Sequence, residues 1–360
     1  MKRTQPIPTG GLTSSINDAS VSLVIPCRNE EKFIAHCVES ILSNTYPKER
    51  MEILIVDGMS DDKTREIIKE YAKAYPFIRL LDNPRRSIPA ALNIGIRNVK
   101  GQIVVRMDAH STYDKNYIAK CVEYLRRYRA DNVGGVWVTV PGSNTLVARS
   151  IALVLSHRFG VGNAYYRTGV KEVKYVDTVP FGCFRKDIFD RIGLYDEEML
   201  RNEDDEFNNR LIKKGGKILL VPNIISYYHS RDSLKKLWRM GYQYGYFKPL
   251  VFIKAGKVST FRQLVPPVFA AGLVLSCALS LMNKFFLIPF LMILVSYLFA
   301  NLAFSFGLAV KNGIGVFLVA PVTFSTLHFS YAFGYLMGLL KFAVFRDHKK
   351  KKIYDVPLTR

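Results

Sequence analysis

Ile103-Val104-Val105-Arg106-Met107 runs without interruption into Asp108-Ala109-His110. A short apolar run followed at once by an acid and an imidazole reads as a buried strand that presents ligands at its carboxyl end, the habit of parallel sheets. The same pattern recurs upstream, where Val21-Ser22-Leu23-Val24-Ile25, Ile53-Leu54-Ile55-Val56 and Ile78-Arg79-Leu80-Leu81 predict three earlier buried strands. Phe33, Ile34, Cys37, Val38, Ile41 and Leu42 fall at helical spacing after the first, in a helix that Asn29 is expected to open. A charged helix from about Asp62 to Ala74 follows the second strand, and another from Pro89 to Val99 follows the third. Strands alternating with helices predict an α/β fold on a mixed, mostly parallel sheet.

Composition limits what such a fold is for. The 360 residues carry 51 Lys and Arg against 30 Asp and Glu, a formal charge of +21. That balance suits nucleic acid, anionic lipid or small anionic substrates. The distribution of apolar residues chooses among them. From about Leu264 to Phe345 the chain is nearly all apolar, in segments of about 265–282, 285–310 and 314–343, each of membrane-spanning length. So much apolar sequence argues against nucleic-acid binding and for a membrane partner. No apolar stretch precedes residue 20, so no signal peptide is expected. Five cysteines without a close pair point to a reducing compartment. The expected organisation is a flexible lead over 1–20, a catalytic head over 21–250, amphipathic or transmembrane helices over 251–345 and a basic tail over 346–360. The head is expected to face the cytoplasm. Three crossings would leave Lys349 to Lys352 on the wrong side by the positive-inside tendency. Either one segment fails to cross, or the long last one, with His328 and Gly-x-x-x-Gly-like breaks near Gly334 and Gly338, is bent or split, and two to four crossings stay open.

Several polar groups stand where chemistry is done. Asp108 and His110 alternate about Ala109 and can face one way, as ligands of a divalent cation, with imidazole favouring manganese over magnesium. Pro26-Cys27-Arg28-Asn29-Glu30 follows the first strand and Asp57 ends the second, where such a sheet would hold a nucleotide. Asn202-Glu203-Asp204-Asp205-Glu206 opens a further helix. Four adjacent acids repel one another, raising the pKa of at least one, which makes a general base available. His229 ends the run Ile224-Ile225-Ser226-Tyr227-Tyr228 and could approach the same metal or phosphate, with Arg231 close behind. Each feature alone also reads as a turn, a cap or a helix start.

In order along the chain, Val24-Ile25-Pro26-Cys27-Arg28-Asn29-Glu30, Ile55-Val56-Asp57-Gly58-Met59-Ser60-Asp61, Ala91-Leu92-Asn93-Ile94-Gly95-Ile96 and Met107-Asp108-Ala109-His110 are followed by Phe181-Gly182-Cys183-Phe184-Arg185, Ile192-Gly193-Leu194-Tyr195-Asp196-Glu197 and Asn202 to Phe207. Over residues 20–250 this resembles a family 2 glycosyltransferase of the Rossmann-like GT-A fold, similar to membrane-anchored succinoglycan-type glucosyltransferases of exopolysaccharide assembly. The resemblance implies that Pro26, Arg28, Glu30, Asp57 and Asn93 bind the nucleotide-sugar, with Asp57 at a uracil-like base. It implies that Asp108 holds Mn2+ or Mg2+ at the diphosphate, helped by His110 and His229. Asp204 would be the catalytic base, and Phe181, Gly182, Glu203 and Arg231 would contact the acceptor. The implied reaction is a single inverting displacement at the sugar C1, from a UDP-hexose to a polyprenyl-diphosphate-linked glycan.

The chain also departs from the family pattern. Asp108-Ala109-His110 replaces Asp-x-Asp, and Gly58 stands where a second acid is usual. The Gln-x-x-Arg-Trp signature of processive synthases is absent, Lys236-Leu237-Trp238-Arg239 with Gln243 having the wrong order, which favours addition of one sugar. Lys235, Lys236 and Arg239 are expected either to meet the acceptor diphosphate or to form a solvated helix face. Transfer onto bare polyprenyl phosphate, and a non-catalytic nucleotide-sugar-binding scaffold, are the alternatives.

Overall fold

The computed structural model describes residues 18–256 and 260–345. Strands β1 (Val21–Cys27), β2 (Met51–Asp57), β3 (Ile78–Asp82) and β4 (Ile103–Arg106) alternate with helices α1 (Ile34–Leu42), α2 (Thr64–Ala74) and α3 (Ile88–Asn98). The first helix starts five residues later than expected. Asn29 has a left-handed backbone (φ 55°) and ties two loops together instead, its Oδ1 accepting from Asp61 N at 3.1 Å. Next come β5 (Ser111–Tyr113), α4 (Tyr117–Arg127), β6 (Asn132–Val140), α5 (Leu146–Leu155), and two single turns, α6 (Arg158–Val161) and α7 (Tyr165–Thr168). β7 (Lys174–Tyr175), β8 (Cys183–Arg185), α8 (Asp187–Ile192), α9 (Glu203–Lys213) and β9 (Ile218–His229) complete the head.

The sheet order is β3-β2-β1-β4-β8-β6-β9-β5, with β7 added against β9. β3, β2, β1 and β4 are parallel, as are β6 and β9, while β8 runs antiparallel between the two sets. The expected mixed sheet is therefore present. Parallel register brings Cys27, Asp57 and Asp82 side by side at one edge. One face packs Ile34, Cys37 and Val38 of α1 with Ile118 and Val122 of α4; the other packs Ala91 and Leu92 of α3 with Ile188 of α8 and Phe207 and Leu211 of α9. Burial on both faces explains why β1 reads as an apolar run broken only by the buried Ser22.

Four helices follow. α10 (Leu234–Ala255) is capped by Ser233 and stopped by Gly256 in the left-handed region. It passes straight through residue 250, so the expected head-to-tail boundary falls inside a continuous helix. α11 (Val265–Met282), α12 (Leu287–Asn312) and α13 (Gly315–Leu339) are long and apolar enough to cross a membrane, within segments Phe261–Met282, Lys284–Asn312 and Gly315–Val344. Their outward side chains include Phe299 at 75% exposure and Leu318 at 76%, surface suited to lipid and not to water.

α13 is not broken at Gly334 or Gly338. Those glycines let it approach α10, which offers Gly241 and Gly245 in return. A Cβ on Gly334 or Gly338 would meet the carbonyl oxygens of Tyr242 and Tyr246 at 2.1 and 2.0 Å, and one on Gly245 would meet that of Tyr331 at 2.0 Å. Small residues at four-residue spacing on both partners make a backbone-close seam. The basic tail expected over 346–360 lies outside the described residues.

Candidate active site

The carboxyl edge of β1 and β2 is built around Asp57. Its fully buried carboxylate takes Arg65 Nη1 at 2.6 Å, Ser60 N at 3.0 Å and the Ser60 hydroxyl. In this structure Asp57 is thus committed to shaping the Gly58–Ser60 loop, whatever that loop then offers a base. Gly58 has a steric reason: a Cβ there would press on the Arg28 side chain at 3.2 Å, so the place of a second acid is filled by an exposed arginine. Pro26 is buried in β1 opposite Val56. Asn93 does not face the cleft. Its amide is spent on Tyr195 O at 2.9 Å, Tyr195 N at 2.9 Å and Glu197 Oε1 at 3.0 Å, joining α3 to the loop before α9.

Asp108 and His110 do come together beyond β4, His110 Nε2 standing 4.0 Å from Asp108 Oδ2. His110 Nδ1 lies 3.5 Å from Glu30 Oε1, which brings the β1 loop to the same point. Burial is the largest influence on His110 and lowers its pKa to about 4, with Arg231, Arg201 and Arg106 adding to the effect against the opposing pull of Asp108. The imidazole is therefore neutral at pH 7, with a lone pair available to a metal. A carboxylate and a neutral imidazole at this spacing fit a divalent cation. The three-ligand set with His229 is not assembled: among the described residues no three His, Cys, Asp or Glu side chains gather tightly enough to hold an ion. His229 instead shares with His110, His36 and Phe33 the wall of a separate cavity of about 620 Å³. Arg231 belongs electrostatically to His110 and does not line the space below Asp204.

The acid cluster forms the first turn of α9, entered through Asn202 in the left-handed region (φ 60°). The turn splits its acids among different partners. Glu203 is buried and lies 2.8 Å from Arg106 Nη2, which also stands 3.5 Å from Asp108. Asp205 pairs with Lys248 of α10, and Glu206 takes Arg210 at 2.6 Å. Asp204 has no such cation to itself. Loss of water, then the charges of Asp205 and Glu203, push its pKa up to about 7, outweighing Arg106 and Lys248, which pull it down. Burial leads this shift; repulsion among the acids comes second. A helix N-terminus favours an anion, so the raised value is a property of the site and not of the turn.

Asp204 opens onto a cavity of about 640 Å³ whose wall includes Trp137, Tyr166, Arg167, Pro180, Tyr244 and Lys248, and which continues between α11, α12 and α13. None of the four residues expected against the acceptor lines this wall, Arg231 lying by His110 instead. Phe181 (φ 65°) packs edge-on to Tyr113 and behind Trp137, Gly182 (φ 88°) has its carbonyl bound to Arg106 N, and Glu203 is turned to the Arg106 guanidinium. Lys235, Lys236 and Arg239 lie on the exposed face of α10. No motif in the sequence marks Arg106, Arg167 or Lys248. Arg106 had left a signal, since a lone cation inside an apolar strand must find a buried partner.

The family model for Glycosyl transferase family 2 matches residues 22–193. A dolichyl N-acetyl-alpha-D-glucosaminyl phosphate 3-beta-D-2,3-diacetamido-2,3-dideoxy-beta-D-glucuronosyltransferase of Methanococcus voltae is 31% identical over 329 residues, covering 89% of this chain and 97% of that one. The succinoglycan biosynthesis protein ExoA of Rhizobium meliloti is 28% identical over 334 residues, covering 92% and 98%. A mannosyltransferase from Pyrobaculum calidifontis, solved in complex with GDP-Man and Mn2+, shares the fold with a TM-score of 0.57 at 18% identity, over 88% of this chain and 87% of that one.

Proposed function

Because this chain belongs to glycosyltransferase family 2, we propose that it moves a single sugar from a nucleotide-sugar donor, a UDP-hexose, to a polyprenyl-diphosphate-linked glycan at the inner face of the cytoplasmic membrane. It is a glycosyltransferase of the GT-A fold with three helices able to span a bilayer. The observation that carries the proposal is Asp204, a carboxylate with its pKa pushed up to about 7 on the wall of a cavity that reaches the apolar helices. Two relatives that match nearly the whole chain carry names referring to a dolichyl-linked sugar phosphate and to succinoglycan, which supports a lipid-borne acceptor and a role in extracellular polysaccharide assembly.

In the proposed reaction the Asp204 carboxylate accepts the proton of an acceptor hydroxyl as that oxygen bonds to the donor C1. The bond from C1 to the diphosphate oxygen breaks with inversion, and the nucleoside diphosphate leaves with the electron pair and needs no proton. Arg106 is shared by Glu203 at 2.8 Å and Asp108 at 3.5 Å, tying the strand that bears the proposed metal ligand to the helix that bears the proposed base. Asp108 and His110 would hold a divalent cation, Mn2+ or Mg2+, which when bound supplies Lewis-acid stabilisation of the leaving diphosphate. Arg231 and Arg28 add positive charge on the donor side.

The test is nucleoside diphosphate release by protein in nanodiscs with manganese, across a panel of nucleotide-sugars, with and without a polyprenyl-diphosphate-sugar acceptor. Acceptor-dependent release that disappears in Asp204→Asn supports the transferase and identifies the donor. Equal release on bare polyprenyl phosphate would move the acceptor assignment. Nucleotide-sugar binding with no release under any pairing would leave a scaffold.

A further inference from the structure

Arg167, on the single turn α7, is 8% exposed, and no carboxylate among the described residues forms an ion pair with it. Its guanidinium carbon sits 4.5 Å from the Trp137 ring centre, 5.3 Å from that of Tyr228 and 5.4 Å from that of Tyr166. Its Nη1 is buried without a hydrogen-bond partner. Aromatic faces offset only part of the cost of taking a guanidinium out of water, and a buried cation is ordinarily matched by an anion. Arg158, Lys248 and Arg262 line the same cavity, but Arg158 is exposed to water, Lys248 is committed to Asp205 and Arg262 lies 2.7 Å from Asp177. Arg167 hydrogen-bonds to Tyr166 but keeps Nη1 without a partner and its charge without an anion.

The cavity says which anion. Asp204 and Arg167 are both on its wall, and from them it runs to Val265 and Phe269 of α11, Ile293 of α12 and Leu327 of α13, apolar residues of helices long enough to span a bilayer. A ligand that fills it has a charged head beside the base and a hydrocarbon tail among membrane helices. A nucleoside diphosphate has no tail, and its expected place is beyond β4 at Asp108 and His110. We infer that Arg167 receives the phosphate of a long-chain lipid phosphate or diphosphate, whose tail enters between α11, α12 and α13 and whose attached sugar is thereby set against Asp204. This rests on the proposed lipid-linked acceptor and assigns the residue that would recognise it.

The protein has two tryptophans, Trp137 and the exposed Trp238. Trp238→Phe therefore leaves Trp137, stacked on Arg167, as a single reporter. The full chain in nanodiscs would be titrated with geranylgeranyl diphosphate, geranylgeraniol, inorganic diphosphate and UDP. Saturable quenching by geranylgeranyl diphosphate is expected, weakened about tenfold or more by Arg167→Gln, the scale of a lost charge-assisted bidentate contact. Arg167→Lys, which keeps the charge, is expected to fall between and shows that the loss is not misfolding. In turnover assays Arg167→Gln should raise KM for the lipid acceptor and leave KM for the nucleotide-sugar unchanged. Unchanged geranylgeranyl diphosphate affinity in Arg167→Gln overturns the inference. So does a loss that falls equally on inorganic diphosphate or UDP, which would make Arg167 a free-phosphate or donor residue. Wild type that binds the lipid diphosphate but transfers no sugar would keep this site and sink the transferase proposal. Transfer with an unchanged acceptor KM in Arg167→Gln would do the reverse.

Discussion

Arg106 holds Glu203 at 2.8 Å, so the strand that delivers Asp108 and the helix that delivers Asp204 share one buried ion pair. Both side chains are nearly excluded from solvent, and neither can be left alone cheaply. Arg106→Gln strands the Glu203 carboxylate, a change expected to cost about 3–5 kcal/mol of stability. Chemical denaturation in detergent measures it. A loss below about 1 kcal/mol would mean that the pair is not what joins these elements.

Asp204 must be unprotonated to accept a proton, and its pKa is pushed up to about 7, chiefly by burial. Turnover should therefore rise with pH through about 7 and fall away on the acid side. Asp204→Asn should lower kcat by about 10²–10⁴, the usual contribution of a general base. A variant within threefold of wild type, or a wild-type profile flat from pH 6 to 8, would remove Asp204 from that role.

The same shift has a thermodynamic sign. A carboxyl with a folded pKa above its unfolded value stabilises the fold fully below the unfolded value, near 3.8, and that contribution is lost as pH rises to about 7. Asp204→Asn removes the slope. The variant should unfold at a higher temperature than wild type at pH 8, and the gap should close towards pH 4. Parallel melting curves across that range would contradict the raised pKa.

Lys248 lowers the Asp204 pKa while pairing with Asp205. Lys248→Met should move the rising limb of the pH profile to higher pH, with kcat partly recovered in alkaline buffer. Uniform loss at every pH would assign Lys248 a structural role alone.

The α10–α13 seam predicts a contrast between glycines. Gly338→Ala drives a Cβ to 2.0 Å from a backbone oxygen, whereas Gly307 of α12 has nothing within 4 Å of its Cβ position. Overpacking of this kind costs about 1–3 kcal/mol. Gly338→Ala should melt at lower temperature than wild type, and Gly307→Ala at the same or a higher temperature, since Ala is the better helix former.

Much of the head was legible because it obeys local rules. β1, β2 and β4 are buried on both faces and read as apolar runs, β3 is a half-buried edge strand, and the helices between them show their buried stripes. What could not be read is where a polar side chain spends its hydrogen bonds. Asn93 and Glu203 sit within motifs that name them as site residues, yet their partners, Tyr195 and Arg106, lie 102 and 97 positions away in the chain. Arg167 falls in a stretch with no strand or long helix, where periodicity says nothing. The spacing of Gly334 and Gly338 is plain in the sequence, but a glycine that breaks a helix and one that admits a neighbour look alike until the neighbour is placed.

That neighbour ties the last membrane-length helix to the acid cluster of α9. α13 is locked by backbone contact to α10, α10 carries Lys248, and Lys248 grips the turn that bears Asp204. No soft linker intervenes. If Asp204 is the base of the proposed reaction, it would stand at one height relative to the apolar helices, and the chain would act as a depth gauge, selecting an acceptor by how far its terminal hydroxyl projects from the lipid as well as by its sugar.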